Sequence, residues 1–420
     1  MKIKEFATVV NGATPSSSHN EYYDGNIIWF TPKDLSNQNA KYISKGERTL
    51  TKEGFENCST KMLPANSLLM SSRAPIGLLA INKVECCTNQ GFKSFITDET
   101  KCNVEYLYYY LKHHIKEVEK LGSGTTFKEV SKDSIENYNV DLPSLKEQKQ
   151  TTKILSAIDD KISLNEQINR NLEELARLIY DYWFVQFDFP DKNGKPYKSS
   201  GGKMVWNKAL KRKIPEGWDV NSLNSFVDAC ENGEWGADEE SSKNNIKIGC
   251  VRGADIEDLM DLPVRYISKS NQKKLLKEFD IIVEISGGSP TQATGRSNFV
   301  SSELLKRNDG KITCSNFCKS LRLKEEETSS YFFMLWQKLY KWNYMFNHEG
   351  KTSGLKNLMI DSVLETKWTI PPKDLMAKYH LIFQKTLKQR EFLKTENKNL
   401  IAVRDFLLPL LMNGQVSLRG

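Results

Sequence analysis

An uninterrupted amphipathic stretch, residues 142–187, constrains this chain more than any other feature. It contains no glycine and no proline after Pro143, and Ser144 followed three positions later by Glu147 is the pattern of a helix-capping box. The stretch allows a helix of roughly 40 residues, about 60 Å long at ~1.5 Å per residue. A helix of that length in the middle of a chain does not fit inside one compact domain. We therefore expect a spacer or a docking strut.

The apolar residues of this stretch fall at helical steps of three and four and form one narrow stripe. A narrow stripe is typical of a coiled-coil seam rather than of a helix on a globular core. We predict packing through Ile154, Ile158, Ile162, Ile168, Leu172, Leu175 and Ile179. Asn165 interrupts the stripe, and two readings stay open: a seam asparagine that fixes the register, or a helix that turns outward there.

The second half of the chain repeats the first. The matching segments, in order, are 30–35 with 251–256, 41–44 with 265–268, 93–95 with 319–321, 106–108 with 331–333, 125–130 with 353–358, 142–143 with 370–371, and 171–172 with 399–400. The last three pairs share one offset along the chain. A collinear series of this kind predicts an internal duplication.

The repeat predicts a second long helix, after Pro371 and Pro372. Its stripe is Phe383, Leu387, Leu393, Leu400, Val403, Leu407 and Leu410, interrupted by Arg390 and Glu396. Each stripe offers the other a partner, so we expect an α+β chain in which two similar mixed α/β domains are separated by two helices packed as an antiparallel coiled coil. The expected boundaries are a first domain at 1–143, a helix at 144–187, a linker at 188–215, a second domain at 216–371, a helix at 372–412 and a tail at 413–420.

Length and composition limit the class of protein. The 420 residues suit two or three domains, and the formal net charge of +7 is compatible with a nucleic-acid partner. No apolar run is long enough for a signal peptide or a membrane span, so we expect no membrane partner. Eight cysteines without a paired framework favour the reducing cytoplasm, and Cys314 with Cys318 lacks the second pair that a zinc site needs.

Catalytic patterns are missing from the sequence. There is no amino-methyltransferase motif, no phosphate-binding loop of the Walker type, and no nuclease pattern with its Pro-Asp partner. Glu147 and Glu365 match only the last part of a nuclease pattern and are more simply solvated residues. We expect no enzyme activity, no cofactor and no metal. Two similar domains at a fixed separation suit the reading of two half-sites on one DNA duplex, where features on one face recur every ~34 Å.

The residues also carry a family resemblance. Asn11–Ser16, Glu21–Leu35, Asn89–Phe95, Leu142–Gln150 and Asp181–Phe184 resemble the specificity subunit of type I restriction–modification systems. The second half departs from that pattern at Asn232-Gly-Glu-Trp-Gly236 and at Lys373-Asp-Leu375. The resemblance implies two target-recognition domains that bind a bipartite double-stranded DNA target. It also implies two methyltransferase subunits as partners, restriction subunits in the full complex, and no catalysis by the chain itself.

Contacts to DNA would come from basic and amide side chains in loops, since arginine and lysine suit guanine or phosphate and asparagine and glutamine suit adenine. The candidates in the first domain are Arg73, Asn89, Gln90, Lys93, Thr125, Thr126 and Lys128, and those in the second are Arg252, Arg296, Lys319, Lys351 and Lys356. Ordinary solvated charge is the alternative for each. Trp29 and Trp235 are predicted to be packing residues, and the aromatic end of the first helix, 180–187, is expected to dock on a partner.

Two other functions are weighed against DNA recognition. A coiled-coil scaffold without a DNA role would use the helices alone and would show no salt-dependent DNA affinity, whereas phosphate binding weakens steeply with salt. A stand-alone nuclease would need an active site around Glu147 or Glu365. Metal-dependent cleavage by the isolated chain would separate it from the other two functions.

Overall fold

The computed structural model describes residues 1–38, 40–124, 128–289, 291–352 and 355–416. The chain forms two compact units. Unit 1 comprises Met1–Asn165 together with Asn397–Gly420, and unit 2 comprises Glu166–Glu396. Sheets and helices are both present in each unit, which places the fold in the α+β class as expected.

Unit 1 is built on short strands joined by short helices. Its strands are β1 (Ala7–Asn11), β2 (Tyr23–Phe30), β3 (Tyr42–Ile43), β4 (Arg48–Leu50), β5 (Leu68–Ser72), β6 (Ile76–Asn82), β7 (Cys87–Thr88), β8 (Phe92–Thr97), β9 (Gly122–Ser123) and β10 (Glu129–Val130). Its short helices are α1 (Pro32–Ser36), α2 (Lys52–Glu56), α3 (Val104–His113), α4 (Ile115–Lys120) and α5 (Lys132–Glu136). Helices α3 and α4 are separate because the backbone leaves helical geometry at His114 between them.

Two sheets form the frame of unit 1. A five-stranded sheet has the order β1-β8-β5-β6-β3, and a three-stranded sheet has the order β4-β2-β7. Successive residues of a strand face opposite sides of its sheet. Leu68 and Met70 accordingly lie in one apolar cluster with α3, while Leu69 lies in a second cluster on the other face. The large sheet is therefore buried on both faces, which explains its nearly continuous apolar runs.

The long helix α6 (Leu145–Tyr180) is shared by the two units and is followed by a π-helical turn, Asp181–Val185. The predicted capping box is confirmed, because Ser144 Oγ donates to Glu147 Oε2 at 2.6 Å and Glu147 N donates to Ser144 Oγ at 3.4 Å. The division between the units falls inside this helix, after Asn165. Each of its two parts therefore belongs to a different core.

Unit 2 contains the remaining strands and helices. Its strands are β11 (Met204–Asn207), β12 (Arg212–Pro215), β13 (Asp219–Ser222), β14 (Val227–Asn232), β15 (Ile246–Val251), β16 (Val264–Ile267), β17 (Ile281–Glu284), β18 (Ser286–Gly287), β19 (Ser297–Phe299), β20 (Ile312–Cys314), β21 (Cys318–Leu323), β22 (Glu349–Thr352), β23 (Leu355–Leu358) and β24 (Lys367–Ile370). Its helices are α7 (Ser302–Arg307), α8 (Ser329–Lys341) and α9 (Ile360–Leu364). The last long helix, α10 (Lys373–Met412), leaves unit 2 after Glu396.

Two sheets of unit 2 have the orders β14-β21-β17-β19 and β16-β15-β20. These match β1-β8-β5-β6 and β4-β2-β7 of unit 1, including the parallel pairs β2–β7 and β15–β20. The register agrees as well, because Asn11 pairs with Lys93 as Asn232 pairs with Lys319.

Local details recur with the same register. A side chain at Gly12 would collide with the carbonyl oxygens of Thr88 and Asn89, and one at Gly233 with those of Cys314 and Ser315. Only glycine permits such a close approach of two backbones. The helical turns after β2 and β15 also match, since Asp34 accepts a hydrogen bond from Thr31 N at 2.7 Å and Asp255 from Arg252 N at 2.9 Å.

One predicted match does not lie at equivalent places. Residues 41–44 include β3, which pairs with β6 in the five-stranded sheet. Residues 265–268 include the end of β16, which pairs with β15 in the three-stranded sheet. That pair of segments is a wrong prediction, because four similar residues at a strand end are too few to specify which sheet the strand joins.

Residues 188–215 are folded rather than a free linker. They include the β11–β12 hairpin, and Ile214 is buried in the core of unit 2 with Phe187 and Trp218. Tyr180 and Phe184 lie in the same core. The expectation that the aromatic end of the first helix docks on a partner is therefore wrong for these buried rings, although Tyr182 is exposed.

In unit 1, the first part of α6 contacts the last part of α10. Asn165 Nδ2 donates to Asn397 Oδ1 at 2.8 Å, and Asn397 Nδ2 donates to the carbonyl oxygen of Ile162 at 3.2 Å. Arg404 forms an ion pair with Asp159 at 2.9 Å. Residue numbers rise along one helix as they fall along the other. The end of α10 completes the core of unit 1 through Leu408, Leu411 and Met412.

In unit 2, the last part of α6 contacts the first part of α10. Tyr379 Oη donates to the carbonyl oxygen of Ala176 at 3.0 Å, and Arg390 forms an ion pair with Glu173 at 2.6 Å. Tyr379 and Phe383 are buried in the core of unit 2. The two helices thus run in opposite directions within this unit also.

The predicted stripe is only partly buried. Ile162, Phe383 and Leu393 are buried, and those half-buried are Ile154, Ile158, Ile168, Leu172, Ile179, Leu387, Leu400, Leu407 and Leu410. Leu175 and Val403 are 47% and 48% exposed, so the prediction that they pack is wrong. Buried polar residues take part instead, among them Gln148, Thr152, Asn165, Thr386 and Asn397.

Candidate nucleic-acid interface

In unit 1, the predicted DNA-binding residues gather where β5 ends and β8 begins. Ser72 N donates to the carbonyl oxygen of Gly91 at 2.7 Å, which joins the loop after β5 to the loop before β8. Arg73 lies in the first loop and Gln90 in the second. The β9–β10 pair, with Lys128 beside it, meets the same place through Glu129. Thr125 and Thr126 lie outside the described residues.

Glu129 organises the basic residues of this cluster. Its carboxylate lies 3.1 Å from Lys93 Nζ and 3.7 Å from an Arg73 nitrogen, and Ser72 Oγ donates to it at 3.4 Å. Lys93 is buried, so its ammonium group balances a carboxylate rather than facing solvent. Lys93, a predicted DNA contact, is therefore a structural residue here. Arg73 and Lys128 keep the more exposed positive charges.

The amide residues of this loop have separate roles. Asn89 Oδ1 accepts a hydrogen bond from Gly91 N at 2.9 Å, so its side chain shapes the turn. Gln90 is exposed and its side chain contacts Thr14. An exposed amide can both donate to and accept from the edge of adenine in the major groove. Gln90 is therefore better placed than Asn89 to face a base.

The arginines of unit 2 are held by carboxylates. Arg252 binds Asp255 through two nitrogens, at 2.8 and 2.7 Å, with its side chain still 48% exposed. Arg296 binds both oxygens of Glu284, at 2.9 and 2.7 Å, and its Nη2 also donates to the Gly253 carbonyl oxygen at 2.9 Å. Hydrogen bonding to Glu284 raises the pKa of Arg296. Arg296 is a poor candidate for a DNA contact, because two of its N–H donors are bound to the buried carboxylate of Glu284.

The lysine candidates of unit 2 occupy two places. Lys319 has the register position of Lys93 but is half-buried rather than buried. Lys356, on β23, forms an ion pair with Glu349 at 3.0 Å and lies over the Phe346 ring. Lys351 lies on β22, and its side chain is outside the described part of the chain. Lys319 and Arg252 are thus the better candidates for contact.

A cleft of about 610 Å³ opens beside these residues in unit 2. Among the residues that line it are Trp235, Arg252, Gln292, Arg296, Asn316 and Phe317. The sequence-based prediction missed Gln292, Asn316 and Phe317. The repeat contains the signal for the last two, because the Lys93–Lys319 match aligns Gln90 with Asn316 and Gly91 with Phe317.

The two tryptophans pack as predicted. Trp29 is buried, and its ring nitrogen donates to the Ala13 carbonyl oxygen at 3.2 Å. Trp235 carries the Arg265 guanidinium over its ring at 4.2 Å while also lining the cleft. Cys314 and Cys318 are buried and free, and burial raises the pKa of both thiols. Among the described residues, no group of three or more His, Cys, Asp or Glu side chains is arranged to hold a metal ion.

Comparison with known proteins identifies the family. A family model described as the type I restriction modification DNA specificity domain matches residues 1–174. The type I restriction enzyme MjaIX specificity subunit of Methanocaldococcus jannaschii is 31% identical over 430 residues, covering 99% of this chain and 92% of that protein. The HindI specificity subunit of Haemophilus influenzae is 22% identical, covering 72% of this chain and 74% of its own.

A solved structure shares the fold. The crystal structure of the type I restriction–modification system S subunit from M. genitalium has a TM-score of 0.60 at 16% identity, with 98% of this chain and 95% of that chain covered. This chain is a DNA-recognition component. It belongs to the family of type I restriction–modification specificity subunits. No helix in the described ranges is both long and apolar enough to cross a membrane.

Proposed function

We propose that each unit reads one half of a bipartite double-stranded DNA target and that the chain itself is not an enzyme. One observation carries this proposal. Two sheets of the same order and register both end in loops rich in basic and amide side chains, around Gln90 in unit 1 and Asn316 in unit 2. The same agreement supports an internal duplication, in which the frame was kept while the loops diverged.

We further propose that α6 and α10 pack as an antiparallel coiled coil that sets the spacing between the two half-sites. Support comes from the contacts within each unit, Asn165 with Asn397 in unit 1 and Ala176 with Tyr379 in unit 2. The buried Asn165–Asn397 pair favours the register-fixing interpretation of Asn165. A hydrogen-bonded polar pair in an apolar seam is satisfied in only one alignment of the helices.

Apolar side chains left exposed on the long helices support the docking of methyltransferase subunits. On unit 1 these are Leu164, Ile401, Val403 and Phe406, and on unit 2 they are Leu175, Leu178, Leu381 and Phe392. Contiguous exposed apolar patches mark protein contacts, and these side chains are the candidates for such patches on the long helices. We expect two methyltransferase subunits on these surfaces and restriction subunits in the full complex.

The test is reconstitution of the full chain with its methyltransferase subunits. We expect the complex to methylate one asymmetric split sequence and to bind it with an affinity that falls steeply with salt. Salt-independent binding or none would favour the coiled-coil scaffold. Cleavage by the isolated chain with a divalent metal, lost in Glu147→Gln, would favour the nuclease. The proposed action of this chain on DNA in the reducing cytoplasm agrees with its eight cysteines, which are all free.

A further inference from the structure

Phe317 stands out in the cleft of unit 2 because its large apolar side chain is 56% exposed. Its backbone is fixed, since its carbonyl oxygen accepts from Ile285 N at 2.8 Å and from Ser286 N at 3.3 Å. The turn that contains it is fixed as well, because Cys318 N donates to the Ser315 carbonyl oxygen at 2.9 Å. The loop is thus a rigid support for one exposed ring.

The polar surroundings of the ring suit DNA. Arg252 and Asn316 line the same cleft, and the acidic residue there, Glu284, is buried and neutralised by Arg296. The cleft therefore presents the half-exposed Arg252 with its partner Asp255, an amide and an aromatic face, and the carboxylate of Glu284 is too buried to repel phosphate.

In unit 1 the register position of this ring is held by a glycine. Gly91 occupies the equivalent register position, and a side chain added there would approach Pro32 Cγ at 2.9 Å and Asn89 Oδ1 at 3.1 Å. The loop of unit 1 instead presents Gln90. The two units therefore offer different chemistry at this register position, a glycine beside Gln90 in unit 1 and an aromatic ring beside Asn316 in unit 2.

We infer that Phe317 is a specificity-determining residue that packs on the 5-methyl group of a thymine in the half-site read by unit 2. The major groove presents that methyl as the apolar feature of a base edge, and aromatic side chains are among its partners. Asn316 beside it addresses a neighbouring base through its amide. This inference rests on the proposed function, because it names a contact of the same DNA-reading loop.

The experiment uses the full chain assembled with its methyltransferase subunits and duplexes carrying its mapped target. Each thymidine of the two half-sites is replaced singly by deoxyuridine, which removes only the methyl group. We expect one replacement, in one half-site, to weaken wild-type binding about fourfold, which corresponds to about 0.8 kcal/mol for one buried methyl. Phe317→Ala should bind the intact target more weakly and lose its response to that replacement, while Phe317→Leu should keep part of it.

Controls separate this inference from the proposed function. Trp206→Ala removes another exposed aromatic residue of unit 2 and should keep the response, as should Gln90→Ala in unit 1. Thermal unfolding of Phe317→Ala should match wild type, because the ring is exposed. A half-site without thymine, or equal responses of wild type and Phe317→Ala, would overturn the inference while leaving the proposed function intact. Failure of the wild-type complex to bind any specific sequence would instead overturn the proposed function.

Discussion

Unit 1 and unit 2 share the order of their main strands, but each neutralises a buried charge with a different pair of residues. In unit 1, the buried Lys93 is balanced by Glu129, which comes from a separate two-stranded sheet. In unit 2, the buried Glu284 lies on the central strand β17 and is balanced by Arg296. Both arrangements avoid an unpaired buried charge, which would destabilise the unit by several kcal/mol. The frame thus tolerates opposite charges at neighbouring positions, provided that each has a partner.

The difference teaches where variation is allowed. Gly12 and Gly233 keep the same close backbone approach, whereas the loops that follow differ in length, charge and aromatic content. Recognition can therefore change without any change in strand order.

Exchange of residues 216–371 for those of another family member has the largest expected effect. Because the reading loops of unit 2 all lie in this range, one half-site should change completely, with specificity for the old sequence falling by at least about a thousandfold. The other half-site should be kept, since unit 1 is untouched. Methylation mapping of cellular DNA measures both halves at once. Changes in both half-sites would contradict separate reading by the two units.

Insertion of seven residues into each long helix tests the spacing. The unit boundaries place the insertions after Asn165 and after Glu396. Seven helical residues add about 10 Å, so the tolerated gap between half-sites should lengthen by about three base pairs at ~3.4 Å each. Both half-site sequences should stay the same. Insertion into α6 alone is the control, and it should disrupt binding because the helices lose their register. An unchanged gap in the double insertion would mean that the helices do not measure it.

An ion pair joins α6 to α10 in each unit, and we expect its removal to destabilise unit 1 more than unit 2. Asp159 and Arg404 are both largely buried, and Asp159 also accepts from Tyr109 Oη at 2.6 Å. Arg404→Ala should therefore lower the free energy of unfolding by about 3 kcal/mol. Arg390→Ala is the matched variant in unit 2, where Glu173 is exposed, and should cost about 1 kcal/mol or less. Equal losses in denaturant unfolding would contradict this distinction.

The smallest effect concerns pH. His380 is buried in unit 2 beside Ser330, at 2.8 Å, and burial lowers its pKa below the ordinary value of 6.5. As the pH drops below 6.5, the histidine binds a proton in the unfolded chain but not in the folded one. The free energy of unfolding therefore falls by at most about 1.4 kcal/mol for each pH unit of acidification. His380→Gln should reduce the slope of unfolding free energy between pH 6.5 and 5.5.

The control for the pH experiment is Thr386→Ala, at a buried residue of the same helix that carries no titratable group. Its slope should stay as in wild type. Unit 1 has the buried Thr152 where the repeat aligns His380, so this group affects unit 2 alone. A slope that is the same in wild type and His380→Gln would refute the role of this histidine.

Much of the architecture could be predicted from the sequence because it depends on local signals. The capping box at Ser144 and the Pro371–Pro372 pair mark the beginnings of the long helices, and the repeat aligns the strands around Lys93 and Lys319. The errors have a physical cause as well. Hydrophobicity favours Leu175 over Ala176, but Ala176 is buried because the facing helix places Tyr379 there. Val403 is exposed while its neighbour Arg404 pairs with Asp159.

The candidate site could be predicted only in part. Sequence patterns predict a site in the loops around Arg73 and Gln90, but they cannot distinguish an exposed basic side chain from one that is paired with a carboxylate. Lys93 and Arg296 meet their carboxylates only after the chain has folded, across 36 and 12 residues. Phe317 looks like a core residue in the sequence, and its exposure follows from the turn that holds its backbone.

The division of unit 1 into two distant stretches has a consequence for synthesis. Unit 2 is one continuous stretch, Glu166–Glu396, and can close as soon as that stretch has left the ribosome. The N-terminal part of unit 1 is synthesised first, but its core is completed last, because it needs Leu408, Leu411 and Met412. The usual order, in which the N-terminal domain matures first during translation, is thereby reversed. Until residue 412 emerges, the apolar surface around Leu155 stays open, and a nascent chain needs protection there from aggregation.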